Sequence, residues 1–540
     1  MKSKINLQLI QVLLGIVVGV LLTLVSVRSL ETRNLRRVRY QDWRKLNLIL
    51  DEVEKNYVDT VDVGALTDAA VSAALSKLDP HSIYMPPVQL KASERELSGN
   101  FDGIGIQFNV PNDTAIVPEV IPGGPSEKAG LQPGDRLVKV DSTVIAGVGF
   151  PQDSMVSRIQ GPAGTKVIVT VQRGDVTVPF EITRGKIPLH SVDAYFMVGD
   201  TTAYVRLSKF SRTTYDEFSS AAEELLRQGM KRMILDIRDN VGGYLDQALK
   251  MSNEFLPRRA GIVYMEGLHR KRESSYADGR GKLQDIGLTV LINENSASSS
   301  EIFAGAVQDN DRGVIVGRRS FGKGLVQEPV YFTDGSGIRL TVARFYTPSG
   351  RCIQKPYSDD YEYDIIKRYA DGEVFVEDSI KVNTEDLHMT VGGRPVYGGG
   401  GIVPDIFVPV DTSRVTDFFL NCNRKATQMR FASAVFDRYR NRLLAIEDFG
   451  EMDGFFDSFD PGAAFRRFAA SKDGIVTGDA EWKKTEPYLI PQLKALISRY
   501  TKLGENAYYR YYLPVDDVVK TALENSSVVR TDSDLAPTVR

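Results

Sequence analysis

Four serines crowd one short stretch, LINENSASSSEIFAGA at residues 291–306, where Ser296, Ser298, Ser299 and Ser300 sit between an apolar run and a helical pattern. A strand through LTVLIN that turns into a helix places these hydroxyls at a helix N-terminus. Unsatisfied amides and the helix dipole favour developing negative charge there. Serine also caps helices, and Ser298 followed three residues later by Glu301 fits a capping box. The stretch alone therefore supports two readings, a nucleophile or a cap.

A serine hydroxyl is a weak nucleophile at neutral pH and needs a base. The stretch has no G-x-S-x-G elbow, and none of His81, His190, His269 or His388 has a local context that nominates it. A lysine serves instead when burial lowers its pKa until a useful fraction is neutral. The candidate is Lys323 in GRRSFGKGLVQ. Gly317 to Lys323 also fits the G-x-x-x-x-G-K phosphate loop, but Gly324 stands where Ser or Thr must reach a metal ion, and LVQEPVYF reads as a strand where a helix is required. A nucleotide site is not expected; the bland reading is a glycine-rich turn with a solvated lysine. A third element, DIRDNVGGYLDQA, carries Gly242 and Gly243 between a strand and a helix. Paired glycines let backbone amides approach a ligand closely, as an oxyanion hole demands, and equally make a plain turn.

These segments need a scaffold, and the 540 residues, 42% of them hydrophobic, are enough for roughly three to four domains with cores. A formal charge of −3 gives no basic surface for nucleic acid. Two cysteines, Cys352 and Cys422, leave one bridge open and exclude a multi-cysteine metal site. The four histidines form no zinc motif, and no metal or other cofactor is expected.

Lys2 and Lys4 precede an uncharged run, INLQLIQVLLGIVVGVLLTLVSV, long enough to span a bilayer. The run lacks a small-residue cleavage site, so residues 1–30 read as an uncleaved signal anchor. The arginines of RNLRRVRY point to the opposite insertion by the positive-inside rule. Apolar residues at helical spacing, including Leu46, Ile49, Leu50 and Val53, mark a helical segment over 31–97. Short alternating strands with glycine turns fill 98–186. Strand–helix alternation over 187–410 predicts an α/β domain, with Thr214 and Glu217 at capping-box spacing and a helix stop at Gly229. Residues 411–540 read as helices of unknown role.

In order, LSKLDPHSIYM, FDGIGIQFNV, VIPGGPSEKAGLQPGDRLVKVDS, GPAGTKVIVTVQR, DIRDNVGG, NENSASSSEIFAGA, VGRRSFGKGLVQ and ARFYTPSGRCIQKP make residues from about 44 to 410 resemble the carboxy-terminal processing, or tail-specific, proteases of the S41 serine peptidase family. The resemblance implies an α/β crotonase-like (ClpP/crotonase-type) core with an inserted PDZ domain at 98–186, between an N-terminal helical segment and a C-terminal helical region. It implies Ser298 as nucleophile, Lys323 as general base and Gln327 as the residue orienting that lysine. A glutamine accepts from an ammonium without the opposing charge that would raise its pKa, which agrees with that role. Oxyanion donors fall among Gly242, Gly243 and Ser299, Gly242 first. Gly103, Ile104, Gly105 and Ile106 become a loop that holds a peptide carboxylate while the tail adds as a strand.

The implied activity is endopeptidase cleavage of C-terminal regions of periplasmic or envelope proteins, by an enzyme anchored in the inner membrane with its catalytic part in the periplasm. Oligomeric state is open, a homo-oligomer included. The chain departs from the family pattern at Val241, which replaces a proline, at Asp239, at Ser299, where alanine is usual, and at the PDZ arginine, where Gln160 precedes Gly161 and Arg158 lies two residues earlier. An alternative is a catalytically silent PDZ adaptor or chaperone.

Overall fold

The computed structural model describes residues 44–358 and 360–525. The expected anchor and its basic flank lie outside them; among the described residues no helix is long and apolar enough to cross a membrane. Residues up to Pro86 and residues from Pro87 onward form two compact units. In the first, residues 44–56 are helical, and the helix Val63–Leu75 is capped by Asp62, whose carboxylate accepts from the Ala65 N–H. Leu46 and Ile49 of the expected apolar stripe are exposed.

In the second unit a β-rich module comes first. Strands Ile106–Asn109, Ala115–Val120, Arg136–Val140, Lys166–Arg173 and Val176–Thr183 pair antiparallel in that order. Alternation decides which side faces inward: Val167, Val169 and Val171 are buried while Lys166, Ile168 and Gln172 between them are exposed. Strand Asn100–Gly103 pairs with Gly185–Pro188. That zips the module's entry to its exit, which is how it can be carried as an insertion.

The elements that build the site follow: β1 (Val192–Met197), β2 (Thr202–Leu207), β3 (Arg232–Asp236), β4 (Gly261–Gly267), β5 (Arg270–Tyr276), β6 (Gly287–Ile292), β7 (Val314–Gly317), β8 (Leu325–Tyr331), β9 (Gly337–Tyr346) and β10 (Ile406–Phe407), with helices α1 (Thr214–Arg227), α2 (Leu245–Phe255) and α3 (Ser299–Asp309). One sheet runs β1-β2-β3-β6-β7-β10, with β1 antiparallel and the rest parallel. Strand β9 pairs antiparallel with β8 and β4, and β4 with β5. Helix α1 starts at Thr214 rather than being capped by it: Thr213 is the cap, and the Thr214 hydroxyl accepts from the Ser211 N–H. Gly229, at φ 94°, ends the chain's helical run as expected.

Parallel strands are apolar on both faces and need cover on both. On one face Val205, Leu235, Val290 and Ile315 pack with Phe218, Phe255 and Phe303 of the three helices. On the other, Tyr204, Ile234, Leu291 and Val316 pack with Leu513, Val518, Val519 and Ala522. The C-terminal helices therefore complete the sheet's core, each fully buried aliphatic side chain contributing about 1.5–3 kcal/mol of transfer free energy.

The same region grips the β-rich module. Ile116 joins an aromatic core with Phe436 and Tyr500, Arg136 pairs with Asp437 at 2.7 Å, and Arg440 donates to the Pro133 carbonyl at 2.7 Å. Both cysteines are free thiols.

Candidate active site

Strands β3, β6 and β7 lie side by side, with Asp236 opposite Leu291 and Ile292 opposite Gly317. Their C-terminal ends release three adjacent loops, 237–243, 293–298 and 318–324. Ligands of open α/β sheets bind at such ends. The first loop carries Gly242 and Gly243, the second Ser298 and the third Lys323, so register alone brings the candidate residues together. After Gly324 the chain enters strand β8 at Leu325, not a helix, which excludes the phosphate-loop geometry.

Three of the four serines are committed to the first loop. Ser296 Oγ donates to the Ile237 carbonyl at 2.8 Å, Ser300 Oγ to Asn240 at 2.8 Å and Ser299 Oγ to Gly243 at 2.9 Å. The Ala297 N–H adds a bond to Asn240 O at 3.0 Å. Ser298 is not part of this stitching. It is half-buried and sits at φ 57°, ψ −113°, outside the comfortable regions for a residue with a Cβ. Such strain clusters at functional positions where the surroundings hold it in place.

Glu301 holds it. This fully buried carboxylate takes the Ser298 N–H on Oε2 at 2.9 Å, and the same oxygen takes the Lys323 N–H at 2.8 Å. Its Oε1 accepts from the Gly322 N–H at 2.7 Å and from Ser320 Oγ at 2.5 Å. Burial pushes the Glu301 carboxyl above its ordinary range, against the pull of these four donors. The capping-box spacing located Glu301, but only one of its bonds is a cap. The others lead to a loop about twenty residues away, for which local spacing carries no signal.

Lys323 itself is half-buried, and Gln327 lies on β8 at a bulge, where the register with β9 shifts between Val326 and Gln327. Bulges re-aim side chains beside active sites. A second buried lysine, Lys355, adjoins this loop, its N–H donating to the Gly322 carbonyl. Its ammonium is committed elsewhere, to Asp364 and to the Tyr361 carbonyl, each at 3.2 Å.

In the glycine loop, the Gly242 N–H donates to Asn240 Oδ1 at 2.9 Å. That amide, expected first among the oxyanion donors, is spent in a turn. The Gly243 N–H has no acceptor among the described residues, and the Ser299 N–H is the first of helix α3, where no helical acceptor exists. A Cβ on Gly242 would lie 2.8 Å from Ser298 Cβ, so glycine is required for the two loops to touch. Below the loop Asp239, at φ 60°, accepts from Asn293 Nδ2 at 2.8 Å and Asn295 Nδ2 at 2.9 Å.

In the β-rich module, Gly103 ends one strand and Ile106 begins the next. The Ile104 and Gly105 carbonyls accept from the Ser126 and Ile121 amides, so the Gly105 and Ile106 N–H groups face the opposite way. Strand Ile106–Asn109 is an edge of its sheet.

Residues 201–364 match peptidase family S41, and residues 116–173 match the PDZ domain. A "Probable CtpA-like serine protease" of Staphylococcus haemolyticus (strain JCSC1435) is 32% identical over 64% of this chain and 70% of its own length. A protein of the same description from Staphylococcus aureus (strain COL) is 30% identical over 71% of this chain and 77% of its own. Among solved structures, a photosystem II D1 C-terminal processing protease is 28% identical, covering 67% of this chain and 86% of its own at a TM-score of 0.36. The class is thus a serine peptidase with a PDZ domain. The chain belongs to peptidase family S41, the C-terminal processing serine proteases.

Proposed function

We propose that this S41 peptidase captures the C-terminal tail of a protein substrate in its PDZ domain and cleaves the substrate with a Ser298–Lys323 dyad. The observation that carries the reading is the single Glu301 oxygen that accepts the backbone N–H of both residues. Neutral Lys323 takes the Ser298 proton as the serine oxygen attacks the peptide carbonyl. Gln327 orients the resulting ammonium. The Gly243 and Ser299 amides hold the oxyanion, and the Gly242 amide is free to join them only if its bond to Asn240 opens. Collapse of the tetrahedral species breaks the C–N bond, the leaving amine takes the proton from Lys323, and an acyl-enzyme remains. Lys323 then deprotonates a water that releases the acid.

The loop at Gly103, Ile104, Gly105 and Ile106 takes the tail's carboxylate, and the tail adds beside edge strand Ile106–Asn109. Strand–helix alternation with sheet-end loops supports a crotonase-like description of the core. The apolar run at the N-terminus supports anchoring in the inner membrane with the catalytic part in the periplasm, where envelope proteins would be the substrates.

The test is cleavage of a reporter protein with an apolar tail. Ser298→Ala and Lys323→Ala each lower kcat by about a thousandfold or more. Activity that survived both would sink the dyad, and full cellular function in Ser298→Ala would favour an adaptor.

A further inference from the structure

Lys323 stands between two glycines, and both lie against residues 353–355. A Cβ on Gly324 would lie 2.9 Å from the Gln354 backbone nitrogen, and one on Gly322 would lie 3.2 Å from both the Ile353 oxygen and Lys355 Cβ. Close approach therefore accounts for the G-K-G pattern. Across this contact the backbone around Lys323 is held from both sides. The Gly322 carbonyl accepts from the Lys355 N–H at 3.0 Å, and the Lys323 N–H, in the same peptide plane, donates to Glu301 Oε2 at 2.8 Å. The next plane carries the Gly324 N–H, which donates to Gln354 Oε1 at 2.9 Å. Peptides are planar, so two held planes that meet at the Lys323 Cα set its φ and ψ, and with them the direction of its Cα–Cβ bond. The Gln354 amide is itself oriented by two further bonds: its Nε2 donates to the Lys355 carbonyl at 2.9 Å and to the Tyr361 hydroxyl oxygen at 3.1 Å. Turned over, it would set a donor against the Gly324 N–H and an oxygen against a carbonyl.

We propose that Gln354 is a positioning residue for the general base: by accepting the Gly324 N–H it fixes the peptide that follows Lys323, while Glu301 fixes the one before it, so that the lysine side chain leaves the backbone in a single direction. With glycine on either side, the loop has no Cβ of its own to restrict that direction. The inference rests on Lys323 being the base for Ser298. A glutamine that served the fold alone would satisfy a loop amide and leave the catalytic step untouched.

The experiment uses the full chain with Gln354→Met, which keeps the length and bulk of the side chain and removes the acceptor. On a tail-bearing peptide kcat falls about three- to tenfold, the scale of one hydrogen bond, while KM is unchanged. Labelling of Ser298 by a fluorophosphonate, whose phosphorus takes the serine oxygen as fluoride leaves, slows by the same factor because it too needs the base. An uncleaved tail peptide, which makes no use of Lys323, binds as before. Gly324→Ala drives a methyl into the same contact and lowers kcat at least as far. Parent-like kcat and labelling in either variant overturn the inference, as does an equal loss of kcat and of tail-peptide affinity. Lys323→Ala run in parallel separates the two layers: if it remains active, the dyad reading fails; if it is dead while Gln354→Met matches the parent, only the positioning role fails.

Discussion

At the scale of single residues, Glu301 ties the backbones of Ser298 and Lys323 to one carboxylate. A carboxylate has about four lone-pair sites and no donor, and Glu301 uses both oxygens for four donors from two loops. Glu301→Gln keeps the shape but turns one oxygen into an NH₂, which confronts two N–H or O–H donors. Placed at Oε2 the NH₂ faces the Ser298 and Lys323 N–H groups, and placed at Oε1 it faces the Gly322 N–H and the Ser320 hydroxyl, so the backbone on one side must shift. Because a misplacement of about 1 Å can cost 10²-fold, kcat is expected to fall about a hundredfold with KM unchanged, as steady-state kinetics on a tail peptide would measure. Since burial raises the Glu301 carboxyl, the folded protein protonates it above the ordinary carboxylate range. In the proposed dyad, protonation of the general base sets the main acid limb of the rate profile, so titration of Glu301 adds a further loss of rate at lower pH that should be absent from Glu301→Gln. A further loss that persisted in Glu301→Gln would assign it to another group.

At the scale of elements, the junction between the PDZ module and the C-terminal helices is crowded with carboxylates. Glu119 on strand Ala115–Val120 leaves Oε2 buried without a hydrogen-bond partner. Burial pushes its carboxyl up against the pull of Arg499 and His190, with Asp193 adding to the rise. Glu505, on the helix Gly504–Tyr512, is raised by burial too, although it pairs with Arg499. Asp193 on β1 is likewise raised by burial, opposed by Ser208 and nearby arginines. A carboxyl raised in the folded state holds its proton more tightly there than in the unfolded chain. Its contribution to stability is present below the unfolded pKa and is lost as pH rises through the folded one. Glu119→Gln should therefore stabilise the protein at pH 8, by about 1 kcal/mol for relief of one buried unpaired charge-bearing atom, and by less at pH 5. Denaturant midpoints at the two pH values check this. A gain that is the same at both would mean that Glu119 does not titrate across the window.

At the scale of the whole molecule, what local spacing carried and what it did not divide along contact distance. Alternating valines, the Gly229 helix stop and the strand after Gly324 were legible because each is decided by neighbours within a few residues. Ser298, Lys323 and the glycine pair stand in the sequence as an ordered set, whereas the bond that ties the Gly242 N–H to the Asn240 side chain leaves no signal in local spacing. The C-terminal region was opaque for a different reason. Its helices pack against partners hundreds of residues away, with Asp437 on Arg136 and Val519 against the sheet face of Ile234 and Leu291. Such pairings leave no periodicity of their own. One of them reaches the site: Arg238, just after β3, donates to Asp516 at 2.8 and 3.1 Å and to Asp236 at 2.6 and 2.9 Å. Burial alone would raise Asp236, but Arg206 and Arg238 hold it well below the usual carboxylate range. Its contribution is therefore present above the unfolded pKa and is lost only as pH falls through the depressed one. Arg238 also lies in the loop that runs to Gly243, so the last helices and the glycine loop share one buried guanidinium. Asp516→Asn should then cost about 2 kcal/mol, the scale of a hydrogen bond to a charged group. In a Trp43→Phe background, Trp482 emission reports the C-terminal helices. Emission and peptidase activity should be lost at one common, lowered denaturant midpoint, whereas an activity midpoint left at its original value would show that these helices unfold apart from the catalytic sheet.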